Sequence, residues 1–196
     1  MISETELESI FTASGALLKG HFALSSGLHS DQYFQCALLL SDTKLAKRLG
    51  TSLAEAIPSS WETPDVVVGP ALGGVIIGHE VARALGKRSI FTERKDGEMV
   101  LRRGFSVNPV EKILIVEDVI TTGKSSGEVI ALLNSMGAKT VGLMSIVLRA
   151  EEEPKLNVPI KSLAHLSAKG FAADACPLCA NGEPIIKPGS RPSTVS

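Results

Sequence analysis

The sequence predicts an α/β fold, a central, mostly parallel sheet flanked by helices. Three observations carry this. Apolar, β-branched runs of strand length alternate with stretches of helical periodicity, the order expected of parallel strands joined by helical crossovers. The three most unusual loops, 69–74, 93–104 and 117–125, each follow such a run, and ligands of open parallel sheets sit at the carboxyl ends of the strands. The chain has 196 residues, 44% of them hydrophobic, enough to fill one core, so 1–196 reads as a single domain.

Taken in order, Ser3-Glu4-Thr5-Glu6 forms a capping box. Leu7, Ile10, Phe11, Leu17 and Leu18 follow at helical spacing, so the first helix is expected to run until Gly20, with Gly15 as an interruption. Residues 20–35 suggest two short strands around a Ser-Gly turn. A second helix is expected from about Ser41, with Leu45, Leu49, Leu53 and Ile57 on one face, ended by Pro58. Val66-Val67-Val68 is a strand, 69–74 a tight glycine loop, Val75 to Leu85 a helix and Ser89-Ile90-Phe91 another strand. Residues 93–108 are polar, charged and glycine-containing. A strand at Ile113-Leu114-Ile115-Val116 leads into a helix carrying Val129, Ile130, Leu132, Leu133 and Met136, and Thr140 to Leu148 and residues 159–163 supply two more strands. The tail, 173–196, is rich in proline, glycine and serine and is expected to be extended and partly disordered at its end.

Composition narrows the function. A net charge of −1 offers no basic excess for nucleic acid. No apolar run approaches the roughly 20 residues of a membrane span. The start, Met1-Ile2-Ser3-Glu4, lacks a basic n-region, and three cysteines are an odd number, unlike a secreted disulfide framework. The cytoplasm is the expected compartment.

The segment 113–127 carries the chemistry. A hydrophobic strand delivers two acids, Glu117 and Asp118, and a loop of small and hydroxyl residues then opens a helix. Backbone N–H groups at a helix start suit a phosphate, whereas adjacent carboxylates repel one and suit hydroxyls or positive charge. A phosphorylated sugar fits both halves. Gly123-Lys124-Ser125 also looks like the end of a P-loop, but that pattern needs a glycine where this chain has Asp118.

The whole run resembles the phosphoribosyl pyrophosphate signature of type I phosphoribosyltransferases: a hydrophobic strand, two acids, two further residues, then T-T-G-x-S. The resemblance implies the fold of that family, with a small hood over the site, here the N-terminal 1–40. It implies that Glu117 and Asp118 bind the ribose hydroxyls, and that the loop of Val119, Ile120, Thr121, Thr122, Gly123, Lys124 and Ser125 wraps the 5-phosphate. The family's pyrophosphate loop, often with a non-proline cis peptide, falls at Ala71, Leu72 and Gly73. Many relatives have a lysine at the position of Gly73.

Two segments resemble the orotate phosphoribosyltransferases in particular. The pattern F-x-L-x-S-G-x-x-S-x-x-Y of their hood is met by Phe22, Leu24, Ser26, Gly27, Ser30 and Tyr33. Their mobile basic loop, which reaches into the partner subunit's site, begins with Arg-Lys, matched by Arg94 and Lys95. The longer form of that loop carries a further lysine and a histidine that this chain lacks, and Arg102 and Arg103 are the substitutes at hand. The resemblance further assigns Thr121, Arg149 and Ser25 to the orotate base, Arg149 gripping its carboxylate. It implies transfer of the phosphoribosyl group to orotate, giving orotidine 5′-monophosphate in pyrimidine biosynthesis. It also implies Mg2+ held through substrate oxygens rather than side chains, and a homodimer. A phosphoribosyltransferase for another base, or a non-catalytic regulator that senses phosphoribosyl pyrophosphate, shares the same signature.

One motif stands apart. Cys176-Pro177-Leu178-Cys179 has the spacing of half a zinc ribbon, and a full site needs about four ligands. Cys36 and His165 are the only obvious candidates to complete it, neither at convincing spacing, so two reduced structural thiols are the favoured reading.

Overall fold

The computed structural model describes residues 2–24, 27–150, 152–166 and 170–188. The chain begins with helix α1 (Glu4–Ala13), followed by strands β1 (Leu17–Ala23) and β2 (His29–Phe34) and helices α2 (Cys36–Ser41) and α3 (Thr43–Glu55). Strand β3 (Val66–Pro70), helix α4 (Gly73–Leu85), strands β4 (Arg88–Lys95), β5 (Glu98–Leu101) and β6 (Lys112–Ile120), helix α5 (Lys124–Ser135) and strands β7 (Lys139–Leu148) and β8 (Ile160–His165) follow. The end is formed by β9 (Gly170–Phe171), a 3-10 turn, the short helix α6 (Pro177–Ala180) and β10 (Ile185–Ile186).

Strands β3 to β8 form a six-stranded sheet in the order β5-β4-β3-β6-β7-β8, parallel except for the edge strand β5. Its central strands are apolar on both faces because both are covered. Val67, Leu114, Val116 and Met144 face a core shared with α1, α3 and α4. Val66, Val68, Ile113, Ile115 and Leu143 face the opposite core, which holds Val129, Ile130 and Leu133 of α5. The period of two sends successive residues of one strand into different cores. From β3 the chain builds outward to β4 and β5, then returns to lay β6 on the other side. The switch point is therefore between β3 and β6, where a crevice opens at the carboxyl ends.

Strands β1 and β2 pair as a hairpin in a second sheet, β10-β1-β2-β9, whose outer strands come from the other end of the chain. This is the expected hood, and its first strand corrects the end of the first helix. The first helix ends at Ala13 rather than Gly20. Gly15 takes the left-handed conformation (φ 66°) and the Ala16 N–H closes back on the Phe11 carbonyl at 3.0 Å, so Leu17 and Leu18 start a strand. The described part of the tail is not merely extended, since it holds the 3-10 turn, α6 and β10. The expected second helix is α3, started by Asp42, which accepts from the Lys44 and Leu45 N–H groups; Ile57 lies past its end, and the short α2 before it was not expected.

Residues 93–108 are not simply a loop. Strand β4 runs through Lys95 and returns as β5 across Asp96-Gly97, both at positive φ (52° and 92°), the geometry of a tight type I′ hairpin turn.

Helices α3 and α4 cross closely because Gly50 lacks a Cβ. One built there would meet the Glu80 Cβ at 2.5 Å and its backbone carbon at 2.7 Å. Gly50→Ala therefore has to push the helices apart, an overpacking cost of about 1–3 kcal/mol. Urea denaturation should show a lower midpoint with an unchanged slope, and an unaltered midpoint would contradict the contact.

Candidate active site

A cavity of about 640 Å³ lies over the switch point. Its floor is the end of β6 and the loop into α5. Strand β6 continues through Ile120, so Glu117 and Asp118 stand within the strand rather than beyond it. Both are pressed into the protein. Burial, reinforced by the neighbouring Asp118 charge, pushes the Glu117 carboxyl up to about 8, against the opposing effect of the Ser126 hydroxyl, which donates to its Oε1 at 3.1 Å. Burial also raises Asp118, opposed by the Val119 N–H that donates to its Oδ1 at 2.9 Å.

The loop at 121–125 turns on Gly123, whose φ of 73° makes it a left-handed N-cap with no side chain to close the start of α5. The Lys124 N–H makes only a long contact of 3.4 Å with the Thr122 hydroxyl, and with no cap side chain the helix start stays open to an anion.

The glycine loop after β3 stands close beside the acids. A Cβ on Gly69 would lie 2.2 Å from the Gly74 carbonyl oxygen, and one on Gly74 would lie 2.6 Å from that of Val116, so only glycines allow the loop to fold against β6. The Ala71–Leu72 peptide is cis, as the resemblance implied. A Cβ on Gly73 would meet the Asp118 carboxylate at 2.3 Å.

The hood and β7 supply the remaining wall. Arg149, just after β7, is buried, and its guanidinium donates to the Ser30 hydroxyl at 2.7 Å while its Nε–H has no partner among the described residues. Burial pulls this guanidinium below its ordinary value, while Asp31 and Tyr33 act in the opposite sense. On the far side Arg94 reaches the Gly97 carbonyl and pairs with Glu128 of α5.

Of the residues singled out in the sequence, the cavity brings together Glu117, Asp118, all of 119–125, Arg94 and Arg149. It does not bring in Lys95, Arg102 or the 71–73 loop, whose Leu72 is 89% exposed. Arg103 is held away by a bidentate pair with Glu93 (2.8 and 2.9 Å) over the ring of Phe91. Ser25 lies outside the described residues. Sequence reasoning missed Ser126 as the partner of Glu117 and Pro188 of the tail as part of the wall. Ser126 stood in view, inside the small-residue run that opens α5, whereas nothing local marks Pro188.

The phosphoribosyl transferase domain family matches residues 39–178. An orotate phosphoribosyltransferase of Chlorobium phaeobacteroides is 48% identical over 195 residues, spanning the full length of both chains. One from Carboxydothermus hydrogenoformans is 45% identical over 95% of this chain and 97% of its own. The chain belongs to the orotate phosphoribosyltransferase family. The crystal structure of orotate phosphoribosyltransferase from Aeropyrum pernix superposes with a TM-score of 0.68 at 27% identity, covering 81% of this chain and 93% of that one. Membership accounts for the hood, which the family resemblance had placed over the cavity now seen beneath it.

Glu117 gives a signed test. Its folded value of about 8 lies above the ordinary carboxylate range, so between the two the folded chain holds a proton that the unfolded chain releases. Stability therefore falls as pH rises through that window. Glu117→Gln keeps an acceptor for Ser126 without the charge. Its Tm should match the parent near about pH 5 and exceed it by several degrees near about pH 9, each kcal/mol being worth about 2–4 °C. A Tm difference that does not grow with pH would rule out a neutral Glu117.

Proposed function

We propose that the chain transfers the 5-phosphoribosyl group of phosphoribosyl pyrophosphate to orotate, releasing pyrophosphate and forming orotidine 5′-monophosphate for pyrimidine biosynthesis. The observation that carries this reading is Arg149. A buried guanidinium with an unpartnered Nε–H, in the wall of the cavity that also holds the acid pair, suits a planar carboxylate, the group that separates orotate from other bases.

The roles follow from charge. The open start of α5, with Thr121, Thr122 and Ser125 around it, takes the 5-phosphate. Glu117 and Asp118 hold the ribose hydroxyls, Glu117 as a carboxyl that keeps its proton near neutrality, while Asp118 places negative charge beside C1 as it becomes oxocarbenium-like. Orotate N1 attacks C1, so no side chain is needed as nucleophile. Arg94 and Lys95 supply positive charge for the departing pyrophosphate. Their movement over the site would exclude water and protect the activated sugar from hydrolysis.

Two adjacent carboxylates are too few to cage a divalent ion by themselves. That fits Mg2+, which keeps waters and is carried largely on substrate phosphates, where it would offset the pyrophosphate charge. We further read the active form as a homodimer whose basic hairpins are shared between sites, working in the cytoplasm. No helix among the described residues is long and apolar enough to cross a membrane.

The loss of orotate absorbance on mixing protein, orotate, phosphoribosyl pyrophosphate and Mg2+ tests the reaction. Asp118→Asn should cut the rate by about 10²-fold or more, the loss typical of removing one transition-state charge contact. Arg149→Ala removes one partner of a buried charge contact worth about 2 kcal/mol or more, so the KM for orotate should rise roughly thirty-fold. Unchanged orotate kinetics in Arg149→Ala would refute the base assignment. Absence of turnover in the parent, despite binding of the sugar pyrophosphate, would refute the reaction.

A further inference from the structure

Outside the cavity wall, four metal-binding side chains converge: His21 of β1, His29 of β2, and Cys176 and Cys179 at the ends of the turn that forms α6. Their ligand atoms all lie within 4.8 Å of one another. Three thiols are free in the described chain, and Cys36 is far from this group in character: it is buried in the core and its thiol is pushed well above its ordinary value by burial. His165, the other sequence candidate, contacts the Ala150 carbonyl instead. The residues that complete the Cys-x-x-Cys pair are thus the two hood histidines, far upstream in the chain.

The separations are those of a coordination sphere. His21 Nε2 is 3.1 Å from His29 Nδ1, 3.6 Å from Cys176 Sγ and 3.7 Å from Cys179 Sγ, and Cys179 Sγ is 3.3 Å from His29 Nδ1. Zinc held tetrahedrally by two imidazole nitrogens at about 2.0–2.1 Å and two thiolates at about 2.3 Å has ligand-to-ligand edges of roughly 3.3–3.8 Å. Hydrogen bonding explains the cluster less well. His21 Nδ1 lies 2.9 Å from the Glu183 carbonyl oxygen, which can only accept, so Nδ1 carries the proton and Nε2 offers a single lone pair. Three groups crowd that one lone pair, whereas an ion at the centre would engage all four. A ligating histidine whose other nitrogen is fixed by a carbonyl is also the usual outer-shell arrangement of a metal site.

We propose that His21, His29, Cys176 and Cys179 form a structural zinc site. Four protein ligands close the coordination sphere, which is the mark of a structural rather than a catalytic ion. The two cysteines lie on the segment that crosses from β9, on one edge of the hood hairpin, to β10 on the other. The ion therefore fastens this crossing segment to the hairpin. It does so beside residues of the cavity: Ser30, which accepts from Arg149, adjoins His29, and Pro188 follows β10.

The test uses the full chain purified under reducing conditions without chelator. Elemental analysis should find about one zinc per chain. Cobalt(II) added after chelator stripping should produce the visible absorption of a tetrahedral thiolate complex. Cys176→Ser/Cys179→Ser should lose both signals, while His165→Gln keeps them. Chelator should lower the Tm of the parent. Absence of zinc together with absence of the cobalt spectrum overturns the proposal, as does full zinc content in the double variant. If the double variant fails to fold, the cobalt spectrum of the parent still decides. None of these readouts involves turnover, so they stand or fall separately from the transferase reaction.

Discussion

Two carboxylates pressed into the protein at the end of the central strand are the constraint around which the molecule is arranged. Strand β6 is apolar on both faces because helices cover both, and it carries Glu117 and Asp118 directly out of that core. Water cannot solvate them fully, so the protein must leave them partly neutral or supply donors. It does both: the Ser126 hydroxyl and the Val119 N–H approach them, and Glu117 still holds its proton near neutrality. The glycines at 69 and 74 follow from the same constraint, since the adjoining loop must lie close against β6 without adding atoms to the space.

Positive charge is arranged differently. Arg149 is buried and only partly satisfied, whereas Arg94 of β4 and Arg103 beyond β5 are exposed and already paired, Arg94 with Glu128 and Arg103 with Glu93. Exposed pairs of this kind contribute little stability and are readily exchanged for other partners. A buried, incompletely bonded guanidinium is not, and it stays where the hood and β7 hold it. The cavity thus combines a fixed cation on its hood side with an exchangeable cation, Arg94, on its hairpin side.

Much of this was legible in the sequence, for identifiable reasons. The run from Ile113 to Gly127 showed strand, acids and helix start because each is encoded locally, by branched apolar residues, charge and glycine. Boundaries were misjudged where one residue outweighs a periodic pattern. Leu17 and Leu18 continue a helical spacing, yet the left-handed Gly15 sends them into a strand. Asp96-Gly97 was a strong hairpin signal masked by the surrounding charge. The histidine partners of the Cys pair had no local signal, because they meet it only through the pairing of β1 with β10 and β2 with β9.

That pairing has a consequence for how the chain is completed during synthesis. All six strands of the large sheet are present once His165 has been made, and each can find its neighbours from residues 66–165. The hood hairpin precedes all six of these strands in the chain, yet its flanking strands, at 170–186, follow them. Domains generally fold as their residues emerge, N-terminal parts first. Here the order is inverted for the hood: its hairpin, made before the large sheet, waits with both edges open until the strands that follow that sheet have been made.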